Sequence, residues 1–480
     1  GFVALNKNTT GDFNTALGRG TLCENTTADD NTAVGMYSLS KNTTGASNVA
    51  VGKNALAANT TAVNNTAVGK DSMKVSTTAT QNAALGTLTL DAATSGSYNT
   101  ATGYASLSVL TTGAFNVASG YIAGNGITTG SNNVAIGAHT LSTTTTSSNN
   151  TAVGFCALKV NTGADNTAVG ADALVANTTG YINVAVGHDA MKANTEGQGN
   201  VGVGGYALDA NTTGSRNIAI GCSALSANTT CSDNIGIGFC ALTTQTTGGA
   251  NNTSVGNYSM KLNTTGDNNV AVGFHALCTN TTGSENTTAG RGAMAANTTG
   301  GCNTAIGRDT LNANTEGVGN SAFGMDALGD TTTGDNNSGL GKYAGSEITT
   351  GSNNSFIGYN SQASADDVSN EITFGDANIS ALRSADQSIA ALSDRRDKTD
   401  IVDLPHGLDF IDKTRPVKFK WDIRDADKNN TKQGTTNYGF IAQELQEIGN
   451  NEEHRLVYEV NSEKLEARYS NLIPIMTQAI

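Results

Sequence analysis

The stretch Asn166–Ile182, NTAVGADALVANTTGYI, decides the fold, because most of the chain consists of copies of it. Its Asn-x-x-x-Gly head stands at Asn14, Asn31 and Asn48 and returns through Asn337 and Asn354, twenty-one times in all. The step is 17 residues, with one of 16 (150 to 166) and one of 18 (234 to 252). A fixed period this short means a solenoid, in which each repeat is one coil stacked on the next.

Numbered from its Asn, the unit has Asn at position one and Gly at position five in every copy. Position four is usually Val, Ile or Leu, position nine mostly Leu or Met, and positions twelve to fifteen read Asn-Thr-Thr-Gly. In a strand-like NTAVG, neighbouring side chains point to opposite faces, so Ala168 and Val169 cannot share one. The expectation is that Val169 and Leu174 fill the lumen, while the small Ala168 and Ala173 admit close approach by another chain. The invariant Gly suits a positive φ or a contact where a Cβ would clash. Asn at a fixed place in successive coils suits side-chain amide ladders. ADALVAN reads as strand plus turn, with one helical turn as the alternative. One coil per strand spacing of about 4.8 Å would make a rod on the order of 100 Å long.

Two copies, GYIAGNGITTG (120–130) and GKYAGSEITTG (341–351), place Gly where Leu stood and Ile where Asn stood. Tyr121 and Tyr343 are expected to supply the lost volume. The Asn-Thr-Thr triplets are formally glycosylation sequons, but a glycan on each would crowd its neighbours one coil away.

Composition agrees with an extended repeat. The 480 residues include 57 glycines, 5% aromatics and 14% charged residues, which do not suit large compact cores. All three prolines and the single tryptophan lie after residue 400, so the preceding backbone keeps its N–H groups for ladders. Residues 393–480 hold 13 of the 27 Lys/Arg and 16 of the 41 Asp/Glu, which marks a domain boundary near 393. A net charge of −14 with scattered cations disfavours a nucleic-acid partner. The seven cysteines show no C-x-x-C and no histidine cluster, so they read as free wall residues made in a reducing cytosol. His406 and His454 stand apart without metal-ligand spacing, and no phosphate-cradling loop occurs; no metal and no cofactor is expected. No apolar run approaches the ~20 residues of a membrane span. Gly1 aligns with the fifth position of a repeat, which suggests that a longer protein continues before it.

The repeats resemble the head repeats of trimeric bacterial adhesins and, more closely, the Asn/Gly/Thr-rich shafts of phage tail fibres. That resemblance covers roughly residues 1–360 and implies a parallel homotrimer. Beyond Gly358 the pattern decays, with NEITFG and ISAL as two last strands of a stem. The segments LSDRRDKTDIV, KFKWDIRD, YGFIAQELQEI and LVYEVNSEKLEARYSNLIPIMTQAI closely resemble the C-terminal intramolecular chaperone of phage tail spikes and fibres, the endosialidase type. What this resemblance implies is trimerisation of a β-rich fibre followed by self-release through autoproteolysis. It assigns the nucleophile to Ser393, the base to Lys398 and the scissile bond to Leu392–Ser393. The roles are coherent chemically, since a hydroxyl becomes a nucleophile when a neutral amine takes its proton. Arg395 and Arg396 are candidates for lowering the lysine's affinity for its proton. Five residues on an ideal helix lie 140° off face, so the pair needs a non-helical turn or a lysine from a neighbouring chain. Read blandly, Ser393 caps a helix beginning DRRDK, with Asp394 near its positive end. Downstream, GLDFIDKTRPVKFKWD reads as helix, turn and strand. Residues 439–448 read as an amphipathic helix with Phe440, Ile441, Leu445 and Ile448 inward.

The expected architecture is mainly β: a trimeric β-solenoid shaft over 1–358, a stem over 359–392, and a small α+β chaperone and autoprocessing domain over 393–480. The expected function is a structural, receptor-binding tail fibre, made in the host cytoplasm and extracellular on the virion, whose partners are its own copies and a host surface receptor or glycan. A bacterial or algal surface adhesin is the alternative, followed by an ice-binding rod. A polysaccharide-degrading spike would need paired carboxylates in a cleft, and the acids of the repeats are sparse and variably placed.

Overall fold

The computed structural model describes residues 1–143, 146–379, 381–383, 393–422, 434–449, 454–459 and 465–480. The chain divides into two units, Gly1–Cys302 and Asn303–Ile480. It is mainly β, a long parallel solenoid of 17-residue coils followed by a small domain with two small sheets and a few helices.

In the first unit seventeen three-residue strands, from Thr15–Leu17 to Thr287–Ala289, form a parallel ladder in which each position pairs with the same position one coil on. Thr167, Ala168 and Val169, for example, face Val184, Ala185 and Val186. Only positions two to four are strand. Positions six to eleven, expected as strand plus turn, are turns in which positions seven and nine take positive φ, as at Asp172 (55°) and Leu174 (52°). A Leu in the left-handed region costs roughly 1–2 kcal/mol. The cost is met because the flipped peptides ladder in both directions. Asp172 N–H donates to Phe155 O one coil back (2.9 Å), and Leu174 N–H to Ala190 O one coil on (3.0 Å).

The lumen inverts the expected parity. Ala168, Ala173 and Leu174 are fully buried inside their own coil, whereas Val169 points outward and is 37% exposed. The alanine face is therefore core and not a contact surface for another chain. Both Asn positions are fully buried as well, at Asn166, Asn177, Asn183 and Asn194. Asn183 N–H donates to Asn166 Oδ1 (3.0 Å) and Asn183 Nδ2 to Gly197 O (2.8 Å). Asn194 Nδ2 donates to Asn177 Oδ1 (2.7 Å) and to the same Gly197 O (3.1 Å). Two interior ladders thus meet on one inward carbonyl per coil. Where Ser76 or Gln245 replaces the twelfth-position Asn, Oδ1 of the preceding Asn59 or Asn228 is left without a partner. Burial of Asn177 and its ladder neighbours also removes those sequons from any glycan-transferring enzyme.

The invariant Gly meets both reasons offered for it. Gly170 has φ 142°, and a Cβ there would stand 2.3 Å from Gly187 O. In the two variant copies the missing Leu volume is not supplied by tyrosine: Tyr121 lies outside, stacked on Tyr104 at 5.5 Å between ring centroids. Ile127 and Ile348 are fully buried instead, and beside Gly345 the ring of Phe356 fills the gap. None of the seven cysteines is in a disulfide.

The second unit carries five more such strands, Thr304–Ile306 to Ile372–Phe374. The Asn ladder ends at Glu371, whose N–H donates to Asn354 Oδ1 (2.9 Å) while its carboxylate accepts from Ser364 Oγ (2.6 Å) and Thr373 Oγ1 (3.1 Å). Of the expected second stem strand, Ile379, Ala381 and Leu382 carry no strand, and Ser380 lies outside the described residues.

Asn177→Ala removes an acceptor and a donor from a dry lumen and should cost about 1–3 kcal/mol. Gly187→Ala should cost about 2 kcal/mol or more through its φ of 137° and the clash with Gly204. Thr179→Ala, on the exposed corner, should stay within about 0.5 kcal/mol. Urea midpoints of the three variants measure this, and equal midpoints would contradict the ladder account.

Candidate active site

In the small domain, helix α1 (Leu408–Ile411) leads through a turn to the strand Val417–Lys420, which pairs antiparallel with Thr436–Gly439. Helix α2 (Ala442–Ile448) follows, then the short antiparallel pair Val457–Tyr458 and Glu466–Ala467, then helix α3 (Leu472–Ala479). Pro474 sits in the first turn of α3, where no intrahelical N–H is needed. Phe410, Leu445, Leu456, Val457, Leu472 and Ile475 form the buried core, with Phe440 and Ile448 packed against it. The expected helix over 439–448 begins only at Ala442, because Thr436–Gly439 is claimed by its strand partner. Arg415 pairs with Glu444, whose carboxyl is held below its ordinary range by that hydrogen bond. His406 and His454, apart in sequence, meet edge to face at 4.7 Å and both pack on Phe410. Among the described residues no group of three His, Cys, Asp or Glu is placed to hold a metal.

At the start of this domain Arg395–Asp397 form a single 3-10 turn. Its N-cap is Asp394, not Ser393: Asp394 Oδ1 accepts from Arg396 N–H at 2.9 Å. The same carboxylate accepts from the Arg396 guanidinium at 2.5 Å, and this hydrogen bond, with the backbone one, lowers the Asp394 pKa. A carboxylate so depressed supports the turn above its unfolded pKa and loses that contribution only as pH falls through the lower folded value.

Lys398 closes the turn, its N–H donating to Arg395 O (3.3 Å), and then leaves in an extended conformation (φ −125°, ψ 138°). That exit lets the long side chain reach back. Lys398 Nζ lies 2.5 Å from Ser393 Oγ within one chain. The structure thus brings together the two residues singled out by sequence, by means of a non-helical turn and without a lysine from a neighbour. Leu392 lies outside the described residues. Arg396 is engaged by Asp394, so its charge is shared with an acid and not directed solely at Lys398. Sequence reasoning missed the Asp394–Arg396 clamp as the device that shapes the turn, although an acid two residues before an Arg at a turn start is a readable capping signal.

A hydroxyl and an amine in contact on an exposed turn can exchange a proton. Residues 393–454 match the family model described as the chaperone of endosialidase. No curated protein matches the chain.

Phe410→Ala should destabilise the small domain by about 3–5 kcal/mol, because it empties the core and removes the ring under both histidines. Arg415→Ala, on an exposed ion pair, should change stability by no more than about 1 kcal/mol. Protection of the 436–448 amides in hydrogen exchange distinguishes the two.

Proposed function

We propose that the chain is a trimeric tail-fibre or spike-type shaft (1–358) with a stem (359–392) and a C-terminal assembly chaperone (393–480) that cuts itself off before Ser393. The single observation that carries this reading is the Ser393–Lys398 contact at the first residue of the chaperone match. Ser393 Oγ adds to the carbonyl carbon of Leu392, and its proton passes to a neutral Lys398 Nζ. The Leu392–Ser393 C–N bond then breaks, with that proton delivered to the Ser393 nitrogen. Water hydrolyses the resulting ester, which leaves a carboxylate on Leu392 and restores the hydroxyl. A neutral amine accepts from the hydroxyl across the same short contact that a charged one bridges as donor.

The chaperone family is associated with trimerisation, and the apolar groove formed by Val417, Tyr438, Phe440, Tyr469 and Met476 supports an assembling role. Attachment to a host surface receptor or glycan, on a phage virion, is the purpose that fits such a shaft.

Intact-mass spectrometry of the purified full chain should show a product beginning at Ser393. Ser393→Ala and Lys398→Ala should each abolish it, and Lys398→Arg should as well, because a guanidinium does not give up its proton. A wild-type chain that folds and stays whole, or a Lys398→Ala chain that cuts normally, defeats the dyad.

A further inference from the structure

Positions two and four of every coil point away from the lumen, and among the twenty-two strands none of these positions carries a charged side chain. Position four is Val, Ile, Leu or Phe in most coils; Ile136, Val186, Ile220 and Val272 are each 36–42% exposed. Along the seventeen laddered strands of the first unit these uncharged side chains form a band in which position four is apolar except at Thr102 and Ser119 and position two is Thr in eight strands and aliphatic in the other nine. β-propensity accounts for branched residues in a strand, but a solvated strand face ordinarily alternates with charge. Monomeric proteins rarely leave an apolar patch larger than a few hundred Å².

The borders of the band are sorted by sign. Position six, just after the strand, is basic at Arg19, Lys53, Lys70 and Arg291 and acidic at none of the repeats. Positions sixteen and seventeen, just before it, are acidic at Asp12, Asp30, Asp165, Asp267 and Glu285, with Arg216 the one basic exception. Length changes also spare the band. The one-residue deletion falls at Thr162-Gly163 and the insertion within 244–249, both on the corner, while Thr151 still pairs with Thr167 and Ile235 with Thr253.

We infer that this band is the surface through which parallel copies of the chain pack against one another, strand face to strand face and coil level to coil level. The inference rests on the assembling-shaft reading and adds the face and the register. A standard interface takes about 800 Å² from each partner. Two half-exposed side chains per coil, on the order of 100 Å² together, reach that area in roughly eight coils, fewer than the seventeen present. Symmetry selects the direction. Turning a copy about an axis parallel to the stack sets the basic border of one against the acidic border of the next, whether two or three copies close the ring. Inverting a copy end to end sets basic against basic, a like-charge contact that costs stability. Arg291 and Glu285 flank the same strand on opposite sides, as do Arg19 and Asp12, so a partner at equal height meets opposite charge.

The test uses the full chain with a benzophenone amino acid at Val186, irradiated and mapped by mass spectrometry, and native mass spectrometry of band variants. Crosslinks should join residue 186 to residues within one or two coils of 186 on another copy. With Ser393→Ala blocking the cut, the native mass should be two or more times 48.8 kDa. Val169→Asp/Val186→Asp/Val203→Asp should lower the multimer fraction at least tenfold, while Thr179→Asp/Thr213→Asp, on the exposed corner, should leave it unchanged. Glu285→Arg should weaken assembly and Glu285→Arg/Arg291→Glu should restore it. A monomeric wild type, crosslinks to distant coils, or multimers that form without crosslinks at 186 would each overturn the inference. If the triple variant fails to fold, the crosslink map alone decides. Cleavage before Ser393, read from the samples that keep Ser393, reports separately on the processing domain.

Discussion

Each coil turns one backbone carbonyl, that of the fifteenth residue, into a lumen that has no room for water, and the rest of the solenoid is arranged around giving it a partner. A buried carbonyl without a donor costs about 1–3 kcal/mol, and twenty of them would unfold any stack. The first-position Asn supplies that donor in the described coils of regular length, and its own Oδ1 takes the next coil's N–H; in the short coil at 150–165 the Gly163 carbonyl accepts from Asn161 Nδ2 instead. In the coils of regular length the twelfth-position Asn supplies a second donor that the carbonyl can do without. Coils with Leu110 or Ile127 at position twelve keep Asn99 or Asn116 on the Gly113 or Gly130 carbonyl at 3.0 Å. This difference in necessity explains why position one never varies in the chain while position twelve admits Ser, Gln, Leu and Ile.

The same lumen explains what was readable in the sequence and what was not. Period, amide ladders and the reason for Gly170 follow from repetition and from atoms every Asn and Gly carries. The inward face does not follow from hydrophobicity, because larger was taken as inner, and a strand read with the wrong parity puts every side chain on the wrong face. The space is too narrow for two large residues at one level. Leu174 occupies it, so position three is Ala. Where Leu gives way to Gly345, Phe356 enters at position three of the following coil. Volume is conserved across neighbouring coils, a relation that a single unit read alone does not display. The left-handed Leu174 was equally hidden, since nothing in a leucine announces a positive φ; the ladder bonds of its peptide impose it.

At the processing turn the pair Ser393 and Lys398 was legible and the geometry was not. A five-residue spacing fails on a helix, and the acid that prevents a helix here is Asp394, which caps a single 3-10 turn and binds Arg396. The alternatives weighed from spacing were a bent turn or a borrowed lysine, and the local cap decides for the turn. The contact exists within one chain, so a lysine from a neighbouring copy is not required to form it.

A solenoid of near-identical coils faces a problem that an ordinary domain does not. Sliding one copy along another by a whole coil keeps apolar against apolar and ladder against ladder, so the slipped state loses little energy. Irregular coils oppose it, namely the short coil at 150–165, the long one at 234–251 and the copies containing Ile127 and Ile348, together with the border charges that only some coils carry. A few sparse markers make a shallow bias, and parallel strand association is slow enough for errors to persist. On the proposed reading, a small globular domain with a unique core around Phe410 and Leu472 would hold the copies level from one end and remove the degeneracy before the first coils meet. Once the band is zipped, the sum of many coils holds the register and the clamp is dispensable. A cut at the boundary between clamp and stem is the chemistry that such a sequence of events calls for.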